Sequence, residues 1–181
     1  MFGALYLRDS KLKIFETELS SGYGCLALLD ASKYCGFVDE NWELEQLKKH
    51  ICSENSKGHN VPWGCTSCNW NIEVHLGEPS IKGHRTHKSY IITEGTLLLT
   101  TYDSITMAAQ YSDTLLPEAH EQDQVFQVEQ GKYEVIVVQN FPTELIDSEE
   151  LWDYGGTHYF IFIQKTLTYE LTKGSLPWFA T

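Results

Sequence analysis

The cysteine and histidine residues are the side chains whose spacing first indicates chemistry. Cys65-Thr-Ser-Cys68 is the single Cys-x-x-Cys pair of the chain, and His84-Arg-Thr-His87 follows it. Two thiolates and two imidazoles make up a tetrahedral ligand set that zinc takes in small domains. The sequence therefore offers a candidate zinc site formed by Cys65, Cys68, His84 and His87.

Two features favour the alternative, in which no cofactor is bound. The usual zinc finger places its histidines on a helix, whereas residues 83–88 have the pattern of a loop or the start of a strand. A chain of 181 residues can also bury a sizeable core without a metal. The chain has five cysteines and no signal-peptide pattern at its start, so we expect free, mostly buried thiols.

Known catalytic signatures are missing from the sequence. It contains no Gly-x-Ser-x-Gly elbow, no glycine loop that would cradle a phosphate and no His-Glu-x-x-His pair. A cysteine nucleophile would need histidine and aspartate partners that no local pattern supplies. We expect a protein that is not an enzyme. A small-ligand-binding or catalytic β domain, with a cleft formed only in three dimensions, is the alternative.

Negative charge is concentrated in the later part of the chain. The formal net charge is -12, and residues 113–153 hold 11 acids against a single base, Lys132. Such a field disfavours nucleic acid and anionic lipid and attracts a basic protein. The alternative is that these acids serve solubility alone. They lack a calcium-loop pattern, which disfavours a site for a divalent cation.

The segment 144–154 combines these acids with aromatic and aliphatic side chains. Apolar anchors ringed by charge are typical of protein-binding hot spots. We therefore expect a partner-binding surface formed by Glu144, Asp147, Glu149, Glu150, Trp152 and Asp153, with Glu118, Glu121 and Asp123 next in order. The alternative is that Leu151 and Trp152 fold into the core while the acids merely face water.

Most of the elements that must position these residues are strands. Residues 132–141 and 158–164 are apolar on both faces, which is typical of strands in the middle of a covered sheet. Short turns at 94–95 and 130–131 indicate hairpins over 89–102 and 125–141. Alternation or apolar runs predict further strands at 3–8, 11–16, 25–29 and 70–76.

Helices are fewer. Charge and apolar spacing predict one at about 41–52, capped by Asn41, and a shorter one at about 104–111. Residues 53–64 have the composition of an irregular stretch. The sequence thus predicts a single α+β domain over residues 1–181, mainly β, built as an antiparallel two-sheet sandwich. No stretch approaches the roughly 20 apolar residues that span a bilayer, so we expect a cytoplasmic protein.

The C-terminal strands carry a resemblance to a known family. The residues concerned are Val125-Phe-Gln-Val-Glu-Gln-Gly-Lys-Tyr-Glu-Val-Ile-Val-Val-Gln-Asn-Phe141 and the strand 158–164. This part of the chain resembles the C-terminal half of competence-protein-J-type nuclease inhibitors and, more loosely, bacterial toxin-immunity proteins. The resemblance implies a bacterial, cytoplasmic inhibitor with a β-sandwich fold and no catalytic residues. Its partner would be a basic toxin or nuclease, neutralised by occupation of a cationic cleft.

Overall fold

The computed structural model describes residues 12–168 and 173–179. This part of the chain holds nine strands and two α-helices, α1 (Leu44–Ser56) and α2 (Tyr102–Gln110). The strands are β1 (Leu12–Ser21), β2 (Gly24–Leu29), β3 (Asn60–Cys65), β4 (Cys68–Leu76), β5 (Arg85–Thr93), β6 (Thr96–Thr101), β7 (Val125–Gln127), β8 (Gly131–Gln139) and β9 (Tyr159–Lys165). The strand predicted at 3–8 lies outside the described residues.

Two packed sheets confirm the predicted sandwich that is mainly β. The larger sheet has the order β1-β4-β9-β8-β5, and the smaller sheet has the order β3-β2-β6-β7. The two strands predicted to be central, β8 and β9, lie inside the larger sheet. Trp63 of the smaller sheet and Trp70 of the larger are fully buried in the core between them.

One pair of neighbouring strands does not follow the expected antiparallel pairing. β4 runs parallel to β9, with Ile72 opposite Tyr159, while the other pairs among the described strands are antiparallel. Parallel neighbours need a long connection. The chain supplies it, because β5 to β8 are all formed between these two strands.

The tight turns connect the two sheets rather than neighbouring strands of one sheet. β5 pairs with β8, whereas β6 pairs with β2 and β7, so residues 94–95 cross from the larger sheet to the smaller one. Residues 128–130 cross back from β7 to β8. The predicted hairpins over 89–102 and 125–141 are therefore wrong. Gly95 has a φ of 118°, so the glycine that indicates a tight turn is used here to turn a corner between sheets.

A buried carboxylate fixes the 94–95 corner. Asp30 follows β2, and its Oδ2 accepts hydrogen bonds from Thr93 Oγ1 and from the Glu94 backbone N–H, both at 2.7 Å. Its Oδ1 accepts from the Ser32 backbone N–H at 2.9 Å. Burial raises the pKa of Asp30, but the hydrogen bonds outweigh it and hold the pKa below its ordinary value. Asp30 therefore ties the two sheets together as an ionised residue.

Both α-helices pack on the outer face of the smaller sheet. α1 begins after Glu43, which forms a capping box with Gln46, so the cap lies two residues later than the predicted Asn41. Leu47 and Ile51 of α1 are fully buried there, in a cluster with Cys25, Ala27, Ile105 and Ala109. Neither helix of the described part of the chain is long and apolar enough to cross a membrane.

Residues 60–65, which the sequence indicates as irregular, form the strand β3. Pro62 is tolerated because β3 is the edge of the smaller sheet and pairs only with β2. The C-terminal segment covers this edge, since Gly64 N–H donates a 2.7 Å hydrogen bond to Pro177 O. Trp178 packs against the main core.

Candidate protein-binding surface

The acidic segment lies in the connection between β8 and β9. Residues 143–154, termed the acidic loop, contain two short 3₁₀ turns, Thr143–Leu145 and Glu149–Leu151. β8 ends and β9 begins at the end of the larger sheet where β4 also begins. The acidic loop therefore lies beside two corners between the sheets: residues 22–23 after β1, and residues 66–67 before β4.

Apolar packing anchors the acidic loop. Leu151 is 1% exposed and belongs to the core, and Leu145 and Ile146 pack against that core while half-buried. Ser148 caps the second turn, because its Oγ accepts a hydrogen bond from Glu150 N–H at 3.2 Å. Each of the two turns is thus held by contacts with the body of the protein.

Asp147 is held between the two turns. Its φ of 65° lies in the left-handed region, which aspartate tolerates better than most residues. Thr66 Oγ1 donates a 2.6 Å hydrogen bond to Asp147 Oδ1. Because Thr66 is buried at a corner between the sheets, it fixes the direction of an exposed carboxylate.

An open cleft of about 290 Å³ separates the acidic loop from the two corners, and it is termed the loop cleft. Its aromatic walls are Tyr23 and Trp152, which are 64% and 55% exposed. Asp147 and Glu149 supply carboxylates, and the remaining lining is Thr66, Ser67, Ser148 and Leu151. The sequence left open whether Leu151 and Trp152 fold into the core or lie at the surface. In the structure, Leu151 is buried in the core and Trp152 is exposed.

The carboxylates of the acidic loop have no cationic partner among residues 12–168 and 173–179. Within the residues that the structure describes, all five are exposed and none forms an ion pair; they are Glu144, Asp147, Glu149, Glu150 and Asp153. Seven acids elsewhere are paired with Lys or His, namely Glu16, Glu45, Glu54, Glu73, Glu94, Glu129 and Glu134. The loop charge is therefore available to an incoming cation.

The second predicted acidic group lies beside β1. The 3₁₀ turn Ala119–Gln124 contacts this strand through a hydrogen bond from Thr17 Oγ1 to Gln124 Oε1. Asp123 is exposed, and Glu118 is half-buried at the cap of the turn. Glu121 departs from its expected place at the surface: it is 3% exposed and accepts hydrogen bonds from Thr100 Oγ1 and from Glu118 N–H. Its carboxylate is an internal acceptor.

Sequence reasoning missed the acids of the larger sheet. Glu16 and Glu18 of β1 line a cleft of about 490 Å³ together with Glu73, and no histidine lines it. Partial burial raises the pKa of Glu73, but hydrogen bonds from Thr157 and His75 hold this pKa below its ordinary value. Glu16 and Glu18 are two residues apart, and this spacing could have indicated that both side chains lie on one face of a strand. Tyr23 and Thr66 were missed as well, and no local pattern marks them.

The structure does not bring the four candidate zinc ligands together. Cys65 and Cys68 are buried on the two sides of the 66–67 corner, whereas His84 is exposed before β5 and His87 packs beside Trp178. In the described part of the chain, no group of three or more His, Cys, Asp or Glu side chains is placed to hold a metal ion. Burial raises the pKa of the Cys65 thiol to about 12, so this thiol is protonated at neutral pH.

His158 is the residue directly before β9, and it contacts β4 of the larger sheet. It is 2% exposed, and its Nδ1 accepts a 3.0 Å hydrogen bond from Asn71 N–H. The ring contacts Trp70, Phe141 and Tyr154 at centroid distances of 5.4, 5.8 and 5.2 Å. Burial lowers the pKa of His158, so the imidazole is neutral at physiological pH.

The chain shares its fold with a solved structure. It is similar to a protein described as "Crocagin biosynthetic gene J", with a TM-score of 0.59 and 17% identity, covering 84% of this chain and 97% of that one. A further match is ComJ, inhibitor of the DNA degrading activity of NucA, from Bacillus subtilis, with a TM-score of 0.46 and 11% identity, covering 86% and 98%. ComJ is of the inhibitor type that the C-terminal strands resemble. No family model and no curated protein sequence matches the chain.

Proposed function

We propose that this chain is a non-enzymatic, immunity- or inhibitor-like protein that binds a basic protein partner through the acidic loop and the loop cleft. The partner is a toxin or nuclease whose cationic cleft receives the loop, and the protein acts in the cytoplasm. Glu144, Asp147, Glu149, Glu150 and Asp153 steer the partner, and Trp152 is the central anchor. Exposed carboxylates raise the association rate with a cationic surface. An aromatic side chain that becomes buried when the partner binds slows dissociation.

One observation carries this assignment: Trp152 is 55% exposed among carboxylates that lack a cationic partner within the described residues. Solubility accounts for exposed acids but not for an exposed indole fixed beside them, and aromatic side chains are enriched in interfaces. Neither structural likeness bears on the partner, because one fold hosts many functions.

Charge reversal tests the docking surface. Immobilised wild-type protein is used to capture a basic protein from the cells that carry its gene, and the captured protein is then purified. Surface plasmon resonance follows its association at several salt concentrations. We expect the double variant Glu149→Lys, Glu150→Lys to lower the association rate by about tenfold and to flatten its salt dependence. If the captured protein is a nuclease, the wild-type chain should also suppress DNA cleavage.

The matched control is Glu40→Lys, Glu78→Lys. Both residues are exposed, and neither forms an ion pair in the described part of the chain. Glu78 follows β4 at the end of the larger sheet opposite the acidic loop, and Glu40 precedes α1. Each double variant changes the formal net charge from -12 to about -8. Equal slowing by both variants, or no slowing by either, would contradict the proposed surface.

A further inference from the structure

We propose that the loop cleft receives an arginine side chain of the partner, with its guanidinium against the rings of Tyr23 and Trp152 and paired with Asp147 and Glu149. This inference rests on the proposed function and names the group that the partner inserts. It assigns a role to Tyr23 and Thr66, two residues that lie far from the acidic loop in sequence.

The size of the loop cleft suits a single long side chain. Its volume is about 290 Å³, and it is open to solvent on one side. Clefts that enclose a drug-sized molecule span about 300–1,000 Å³. The loop cleft lies at the lower limit of that range, so it accommodates one extended side chain rather than a stretch of polypeptide.

The walls of the loop cleft are chemically matched to a flat cation. Tyr23 and Trp152 are both more than half exposed, so their rings are accessible to a partner. Indole and phenol faces attract cations, with tryptophan the strongest, and arginine is found there more often than lysine. Asp147 and Glu149 add two carboxylates that form no ion pair with any described residue. A guanidinium can stack and form hydrogen bonds in its own plane at the same time, whereas an ammonium group remains strongly hydrated.

The acceptor geometry is fixed before binding. Thr66 holds Asp147 Oδ1 at 2.6 Å, and the buried Leu151 anchors the turn that carries Glu149 and leads into Trp152. A carboxylate has two acceptor oxygens, so Asp147 Oδ2 can accept a hydrogen bond from an incoming N–H. A preformed site loses less conformational entropy when the partner binds, which favours one defined cation over diffuse attraction.

Two other clefts of the described structure lack this combination. The 490 Å³ cleft beside β1 has three glutamates and no aromatic wall, and Lys13 already neutralises Glu16 while His75 contacts Glu73. A narrower cavity shares Tyr23, Thr66 and Asp147 with the loop cleft. Its other lining residues include Arg85, whose own charge repels a second cation there. The loop cleft is therefore the better match for a guanidinium.

Two short peptides test the assignment. Amidated tetra-arginine and tetra-lysine carry equal charge, and their binding to the ¹⁵N-labelled protein is followed through the Trp152 indole N–H, assigned with Trp152→Phe. We expect the arginine peptide to bind about three- to fivefold more tightly at physiological salt, the factor that an exposed cation–π contact supplies. Tyr23→Ala and Trp152→Ala, followed through backbone amides of residues 147–151, should each bring the two peptides to within about twofold of one another.

Two controls separate this inference from the proposed function. Leu115→Ala removes an exposed apolar side chain that does not line the loop cleft, and it should keep the arginine preference. Glu149→Gln should weaken both peptides, because it removes a negative charge that attracts either cation. Equal binding of the two peptides by the wild type, or a preference that survives in both aromatic variants, would overturn the arginine assignment. The proposed docking surface is judged separately, by the association rate of the captured partner with the Glu149→Lys, Glu150→Lys variant.

Discussion

The hydroxyl of Thr66 donates a 2.6 Å hydrogen bond to Oδ1 of Asp147, a residue 81 positions later in the chain. Thr66 lies at the corner between β3 and β4, and Asp147 lies between the two turns of the acidic loop. The bond therefore ties the acidic loop to the place where the chain crosses between the sheets. It sets the position of one carboxylate in the loop cleft.

Thr66→Val removes this donor and keeps the shape of the side chain. Because Asp147 is exposed and water can replace the lost partner, we expect the free energy of unfolding to fall by about 1 kcal/mol. Thr66→Ser keeps a hydroxyl and should remain closer to the wild type. Urea denaturation of the three proteins measures the difference. Equal destabilisation by valine and serine would show that the hydrogen bond contributes nothing.

Asp30→Asn should destabilise the protein more strongly. The amide replaces one acceptor oxygen by a donor, and this donor then faces other donors, either those of Ser32 at one position or those of Thr93 and Glu94 at the other. We expect a loss of about 3 kcal/mol in the free energy of unfolding, since buried hydrogen bonds to a charged group are involved. Urea denaturation at neutral pH measures it. A loss no larger than that of Thr93→Val would contradict a shared role for the carboxylate.

The lowered pKa of Asp30 also predicts a pH dependence at the acidic end. The stability that it contributes is fully present above the pKa of an unfolded aspartate, about 3.9, and is lost as the pH falls through the lower pKa of the folded protein. Urea midpoints measured between pH 5 and pH 2 for the wild type and Asp30→Asn should therefore converge as the pH falls. A constant difference over this range would rule out the predicted linkage.

His158 predicts a second pH dependence, with the same sign. Its pKa is lowered, so the unfolded chain takes up a proton near pH 6.5 while the folded protein does not; the stability is full above that pH and declines below it. Nδ1 of His158 now accepts a hydrogen bond from Asn71 N–H. Protonation at Nδ1 would place two N–H groups opposite one another. We expect the His158 ring resonance to titrate below the peptide value in an NMR titration. Assignment by His158→Gln separates it from His87, whose pKa is also lowered by burial.

Gly64→Ala should detach the C-terminal segment from β3. A Cβ at this position would lie 2.2 Å from Phe179 N and 2.3 Å from Trp178 O, so residues 177–179 must move. We expect faster hydrogen exchange in the peptide that covers residues 60–65, because the hydrogen bond to Pro177 O is lost. Gly22→Ala is the matched control, since a Cβ there meets no atom within 4 Å. Unchanged exchange in Gly64→Ala would contradict the close approach.

Parts of the fold with a one-sided pattern could be predicted from sequence. β4 alternates between buried side chains and side chains that are exposed or half-buried, because one face of the strand lies on the core and the other does not. The alternation of apolar and polar residues along the strand reflects this difference. The corners at 94–95 and 128–130 could not be predicted, because a glycine turn looks the same whether the next strand joins its neighbour or the opposite sheet. β3 was not predicted because it contains Pro62. Proline is excluded from strands except at positions such as this sheet edge.

The candidate surface was predictable in its charge but not in its geometry. Composition alone indicated the acidic loop, because carboxylates and aromatic side chains are adjacent there in sequence. It could not decide between Leu151 and Trp152, since neighbours in a tight turn point in different directions. Tyr23 and Thr66 complete the loop cleft only through the crossing of distant strands, which leaves no trace in the local sequence.

The position of β9 between β4 and β8 has a consequence for synthesis. About 87 residues separate Ile72 from its partner Tyr159, so at about 5–20 residues per second the β4 edge emerges from the ribosome some 4–17 s before the strand that covers it. During that interval the nascent chain carries an open edge able to pair with another polypeptide. A message truncated before codon 159 would leave both β4 and β8 unpaired on that side, and such fragments would be expected to aggregate rather than retain partial activity.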